Sequence, residues 1–345
     1  MPDIASIVAR LGGMAQKQQL VARGARDIDL TLAVKRGEVT RARQGWYTTL
    51  PPDDPRVNAV RVGGRLTGIS AVIAEGGWAL GPFPLHVSVA ANAARLRTPA
   101  NRFVKLAARH VAGLALHWDD DTVVARGTAM AVELSDALVR VVLDESFETA
   151  VAALDWALHT GRLDRIEFEL LILRLPDERR GIREWVDRRC ESLPESLART
   201  RMRMLGHTVD IQVVLGDIER IDLVIDDCVG METDGREFHL DRFEQDRRKD
   251  LDITIAELHP LRPSARMVFH NWPHVVRAVE AALAARRRPA RFGNSGASAP
   301  RPVKTPGKPG VRGRRRRTTP EFPKQTSRQS FALGNTGGPG RLGSA

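Results

Sequence analysis

Cysteine is nearly missing from this chain: Cys190 and Cys228 are the only two in 345 residues. Two lone thiols support neither a disulfide framework nor a zinc site built on paired cysteines, and both are expected to be small buried hydrophobes. Also lacking is any apolar run long enough to span a bilayer. The opening Met-Pro-Asp-Ile-Ala-Ser-Ile-Val-Ala-Arg carries an acid and has no basic segment ahead of an apolar one, so no signal peptide is expected. A cytoplasmic protein without membrane contact follows as the expectation. No serine sits in a Gly-x-Ser-x-Gly turn, which disfavours a Ser/His/Asp hydrolase, and Gly63-Gly64 stands too much alone to be a phosphate loop. What remains is ample for folding, since 345 residues at 42% hydrophobic content allow two or three domains with real cores.

The formal charge of +11 is unevenly spread. From Arg286 onward fifteen Lys and Arg face the single Glu321, a balance of +14, so the preceding chain carries about −3. That tail is rich in Gly, Pro and Ser, contains Arg314, Arg315, Arg316 and Arg317 in succession, and has too few apolar residues to offset the entropy of ordering. A disordered basic tail over residues 286–345 is expected. One reading makes it a sequence-blind arm that gains DNA affinity by counterion release; the other makes it a dispensable extension.

The stretch from Ile221 to Gly235 places Asp222 in one apolar run and Glu232 and Asp234 in the next. If both runs are strands, Asp222 lies beside the later acids, and the alternation of side chains puts Glu232 and Asp234 on one face. Such a cage suits Mg²⁺ or Mn²⁺, which take one or two carboxylates plus phosphate oxygens and can activate water for attack on a phosphodiester. The alternative is a hairpin whose edge acids are merely solvated. Arg236, His239, Arg247, Arg248 and Lys249 follow within about four helical turns and could hold phosphates. Upstream, Leu197, Met202 and Leu205 recur at helical spacing, with Glu195 near the start of that helix, where an acid also suits the helix dipole.

Glu195-Ser196 on a helix, Asp222 on a strand, Glu232-x-Asp234-Gly235, His239, the Asp246-Arg247 helix and the Leu261-Arg262 pair occur in an order that resembles a family of nucleases. These are the domain-of-unknown-function nucleases related to the very-short-patch-repair endonuclease, within the PD-(D/E)xK restriction-endonuclease-like superfamily. The resemblance covers about residues 186–285 and implies a mixed sheet flanked by helices, a divalent metal and hydrolysis of DNA phosphodiesters. It assigns Asp222 and Glu232 to the metal, Asp234 to supporting it or positioning water, and Arg236 and His239 to the scissile phosphate. Two departures stand out. Where many members place a lysine two residues after the glutamate, this chain has Asp234, and the nearest cation on that face, Arg236, cannot deprotonate to act as a base. Water activation then falls to the metal, with His239 as an assistant. Pro260 also interrupts an expected strand and belongs on an edge or at a bulge.

At the other end, Ile4–Leu11, Gln16–Ala22 and Asp27–Arg36 read as three helices separated by Gly12-Gly13 and Gly24. Val39–Leu50 suits a two-stranded ribbon, which gives the order of a winged helix-turn-helix over residues 1–50. Leu11-Gly-Gly-Met-Ala, Gln19-Leu20, Arg36-Gly-Glu-Val and Gly45-Trp-Tyr make this segment similar to the AbiEi-type antitoxin N-terminal domain, and the similarity implies a DNA-binding transcriptional regulator. Lys35, Arg36, Arg41 and Arg43 place positive charge on the third helix and the wing, where phosphates would be met, whereas Asp27 and Asp29 would repel them. The alternative is a small domain that packs on its neighbour.

Residues 51–185 read as a mixed α/β connector without chemistry of its own. Leu85–Ala90 and Leu114–Trp118 are short strands, Asp119-Asp120-Asp121 a solvated turn, and Ala131–Val142 and Phe147–Leu158 helices. The whole is an α/β chain of the α+β kind. Two functions remain open: a Mg²⁺- or Mn²⁺-dependent DNA endonuclease, or an inactive nuclease fold serving as an antitoxin-like DNA-binding regulator. DNA is the expected partner; a second copy of the chain and a toxin or defence-system protein are open alternatives.

Overall fold

A computed structural model of the protein describes residues 2–107, 111–215, 219–233 and 243–287, all within one unit of the chain, Met1–Ser295. Three sheets follow one another along it. The first begins after α1 (Ile4–Arg10), whose N-cap Asp3 accepts from the Ser6 amide at 3.0 Å. Next come β1 (Met14–Gln16), α2 (Lys17–Val21), α3 (Asp27–Lys35), β2 (Thr40–Arg43) and β3 (Trp46–Thr48). The wing is three-stranded, in the order β1-β3-β2, because Met14–Gln16 pairs antiparallel with β3. Ile4, Val8, Leu20, Leu30 and Tyr47 fill the core between helices and sheet. Asp29 does not face solvent: it is buried and accepts from the Arg26 amide and guanidinium, a capping box for α3, while Asp27 pairs with Lys17 at 2.8 Å. Neither acid therefore stands as a bare charge beside Lys35 and Arg36.

The second sheet is preceded by α4 (Pro55–Val62) and comprises β4 (Arg65–Leu66), then, beyond α5 (Gly68–Ala74), β5 (Leu85–Ala90) and β6 (Leu114–Asp119). β5 pairs antiparallel with β4 and parallel with β6. Gly63-Gly64 has a packing reason. A Cβ on Gly63, at φ +114°, would meet the Arg43 guanidinium at 2.6 Å, and one on Gly64 would meet the Ser88 carbonyl at 2.1 Å. Past β6 come α6 (Asp121–Val124), α7 (Leu134–Asp144), α8 (Phe147–His159), α9 (Arg165–Leu173) and a 3₁₀ turn over Asp177–Trp185. The Asp119–Asp121 run is not a solvated turn between strands. Asp119 is buried against Arg140 at 3.1 Å, and Asp120 caps α6.

The third sheet carries the acids. After α10 (Leu193–Met204) come β7 (Val209–Leu215), β8 (Glu219–Ile225), β9 (Val229–Met231), α11 (Phe243–Ile255), β10 (His259–Leu261), α12 (Ala265–His270) and α13 (Trp272–Arg287). The order is β10-β9-β8-β7, with antiparallel pairs except for the parallel β9–β10 pair. Pro260 sits on the edge strand, as its missing N–H requires. Cys190, Leu197, Met202, Leu223, Ile225, Cys228, Val229 and Met231 form the core with Val275 and Val279, so both cysteines are buried hydrophobes. Ala152 of α8 belongs to the same cluster, which ties the second and third sheets together. Behind it, Asp155 is fully buried and accepts from Ser196 Oγ at 2.6 Å, Arg199 Nη2 at 2.9 Å and the Asp187 amide at 2.7 Å. Burial raises its carboxyl to about 6 against the pull of Arg199. No helix among the described residues is long and apolar enough to cross a membrane.

Candidate functional site

Antiparallel pairing of Leu223 with Met231 brings Asp222 and Glu232 side by side at the end of the β8–β9 hairpin. The Asp222 amide donates to Glu232 Oε1 at 3.2 Å, and the Thr233 amide and hydroxyl donate to Asp222 Oδ2 at 2.9 and 3.3 Å. Glu195, one turn into α10, approaches from the side. Its carboxylate accepts from Ser192 Oγ (2.7 Å), the Glu191 amide (3.0 Å) and Gln212 Nε2 of β7 (3.2 Å). Adjacent residues thus divide the work: Glu195 faces the other acids, while Ser196 turns inward to Asp155.

All three carboxyls are mostly buried and raised in pKa, and the Asp222 charge adds to the rise at both glutamates. Burial, then Asp222, pushes Glu195 and Glu232 each to about 7; burial is the main cause that lifts Asp222. Partial relief comes from one of the cations that follow the acids in sequence. Lys249, on α11, places Nζ 2.5 Å from Glu232 Oε2, and Arg262 Nε, 2.5 Å from Asp250 Oδ1, anchors that turn of the helix to β10. Lys249 reaches Glu232 from a helix seventeen residues on in the chain. Its signal was present in sequence, in the Arg247-Arg248-Lys249 run, but not which of these cations would reach the acids.

The donor set fits a hard cation, because Mg²⁺ requires only one or two protein carboxylates and Asp222 and Glu232 are adjacent. Glu195 completes no tighter cage with them: among the described residues, the group with three ligand atoms within 4.8 Å of one another is His86, His117 and Asp144. Asp234, Arg236, His239 and Arg314 to Arg317 lie outside the described residues, as does the side chain of Arg247.

The cationic residues of α3 and the wing divide into two sets. Lys35 and Arg36 are exposed at the end of α3. Arg43 also makes a structural contact, donating to the Arg61 and Val62 carbonyls at 2.8 Å and so fastening the wing to α4. Together Arg41, Arg43, Arg95, Arg97 and Arg102 line a cleft of about 580 Å³ between wing and second sheet, and no carboxylate lines it among the described residues. Burial and then Arg97 lower the pKa of Arg43; burial, then Arg41 and Arg61, lower that of Arg102. Arg41 Nε is buried without a hydrogen-bond partner, although Nη2 donates to the Tyr47 hydroxyl at 3.2 Å. Concentrated positive charge with no carboxylate among the described lining residues suits an anion.

A cluster of metal-ligating side chain types also lies within residues 51–185. His86 of β5 and His117 of β6 lie on one face of the parallel pair, where the register sets Ser88 opposite His117. His86 Nδ1 and His117 Nε2 are 3.2 Å apart, and Asp144, at the end of α7, brings Oδ2 to 4.0 and 3.7 Å from them. Burial depresses both imidazoles to about 4, helped at His86 by His117 and Arg140 and at His117 by Arg140, so both are neutral at pH 7. The histidines stood in two runs readable as strands, but their shared face depends on a pairing that sequence does not reveal.

Comparison of the chain with models of known protein families and with curated proteins finds no match.

Proposed function

We propose that this protein binds DNA and hydrolyses its phosphodiester bonds at a divalent-metal-dependent centre in the third sheet. The observation that carries this reading is the convergence of Glu195, Asp222 and Glu232 with Lys249 held on Glu232. Asp222 and Glu232 are the residues that would hold Mg²⁺ or Mn²⁺, which, when bound, polarises a phosphate and acidifies water. Thr233 orients Asp222 through two hydrogen bonds. Lys249 restrains Glu232 and adds a positive charge where a phosphate would develop negative charge. Glu195, with a pKa near 7, is suited to exchange a proton at physiological pH. Asp234, Arg236 and His239 remain proposed contributors to water and phosphate positioning, and Arg247 and Arg314 to Arg317 proposed phosphate contacts. The arginine cleft beside the wing supports binding of a polyanion without base readout.

Incubation of supercoiled plasmid with the protein and Mg²⁺ or Mn²⁺ tests the proposal. Nicked or linear product, abolished by EDTA and by Asp222→Ala, is the expected result. Binding without cleavage under every metal condition would support the second reading, an antitoxin-like regulator on an inactive nuclease fold. The cleft favours that reading equally, and a second copy of the chain and a toxin or defence-system protein are its partner classes.

A further inference from the structure

We propose that His86 Nδ1, His117 Nε2 and Asp144 Oδ2 form a second metal site, for a borderline divalent transition ion such as Zn²⁺, in the second sheet and separate from the acids of the third. Two nitrogens and one carboxylate oxygen are a donor set that selects Zn²⁺ over Mg²⁺. Ligands of one tetrahedral ion bonded at about 2.1 Å lie roughly 3.4 Å apart. The three atoms are separated by 3.2, 3.7 and 4.0 Å, so only Asp144, at the end of its helix, must close by a few tenths of an ångström.

The surroundings are those of a supported ligand. Glu145 Oε1 stands 3.4 Å from His86 Nε2, the nitrogen left over when Nδ1 faces the ion, and a carboxylate there fixes the tautomer and ring orientation. Gly68 leaves the space: a Cβ on it would come within 3.0 Å of His86 Nδ1 and 3.2 Å of Arg140 Cγ. Arg140, whose Nε is 4.0 Å from Asp144 Oδ2, would oppose a cation, but its guanidinium is also held by Asp119 at 3.1 Å. Asp144 is exposed, which gives an ion an entry path and leaves a fourth position for solvent. The competing account of the same geometry is a metal-free hydrogen bond between two imidazoles.

Metal-stripped full-length protein would be titrated with ZnCl₂ by calorimetry and with Co²⁺ by visible absorption, for wild type, His117→Gln, Asp144→Asn and Asp222→Ala/Glu232→Ala. Expected are one Zn²⁺ equivalent and a four- or five-coordinate Co²⁺ spectrum in wild type and the double acid variant. At least tenfold weaker binding is expected in His117→Gln and Asp144→Asn, together with loss of the Zn²⁺-induced rise in Tm. Undiminished binding in Asp144→Asn, or no Zn²⁺ uptake by folded wild type, would overturn the proposal. Neither result depends on nuclease activity.

Discussion

Lys249 Nζ lies 2.5 Å from Glu232 Oε2, joining α11 to the end of β9. Replacing it with Gln removes the charge and keeps much of the length. Under the proposed function, plasmid cleavage falls by about 10²-fold, the order of loss when one charge-stabilising group is deleted, while duplex affinity stays near wild type. Cleavage assays beside circular dichroism decide this; wild-type rates would remove Lys249 from the centre.

The raised carboxyls carry a stability signature with a definite sign. Glu232, near 7 in the fold against 4.5 unfolded, binds a proton in the native state that the unfolded chain has lost between those values. Native stability therefore declines as pH rises from about 4.5 to about 7 and the decline is complete above 7. Glu232→Gln stays neutral throughout. Its unfolding free energy should match wild type at pH 4.5 and exceed it at pH 8 by on the order of 2 kcal/mol, with Mg²⁺ narrowing the gap. Urea titrations at the two pH values measure both quantities, and a pH-independent difference would contradict the buried-carboxylate account.

Arginines of the cleft should separate by role. Arg97→Ala with Arg102→Ala is expected to weaken duplex binding regardless of sequence and to lower the salt slope by about one to two units. Arg43→Ala should in addition destabilise the fold by about 1–3 kcal/mol, because two carbonyls of α4 lose their donor. Fluorescence anisotropy over a salt series, paired with thermal melts, distinguishes them. Equal melts for all three variants would mean that Arg43 is no more structural than its neighbours.

Asp155→Ala leaves Arg199, itself buried, without its carboxylate and should cost about 3–5 kcal/mol. Ser196→Ala removes a single donor to the same carboxylate and should cost about 1–2 kcal/mol. Chemical denaturation of both variants tests the ranking. Reversal of the order would show that the buried pair is not the principal tie between α8 and α10.

Helices α1, α3, α7, α8 and α10 were legible because apolar residues recurring every third or fourth position are a local property, and so were strands β5 and β6 from their β-branched and apolar runs. The adjacency of Asp222 and Glu232 also follows from sequence, since a tight hairpin leaves little choice of partner. Tertiary structure decided the rest. Met14–Gln16 is too short to show alternation and became a strand only because β3 offered an edge. Arg43, read as a phosphate contact, is also fastened to α4, because the Arg61 and Val62 carbonyls lie where the folded chain brings them. Lys249 reaches Glu232, and His86 reaches His117, across 17 and 31 residues. Composition and periodicity act on neighbours in the chain and so determine its elements. Charges and ligands meet through strand register and helix packing, which depend on contacts between segments distant in sequence.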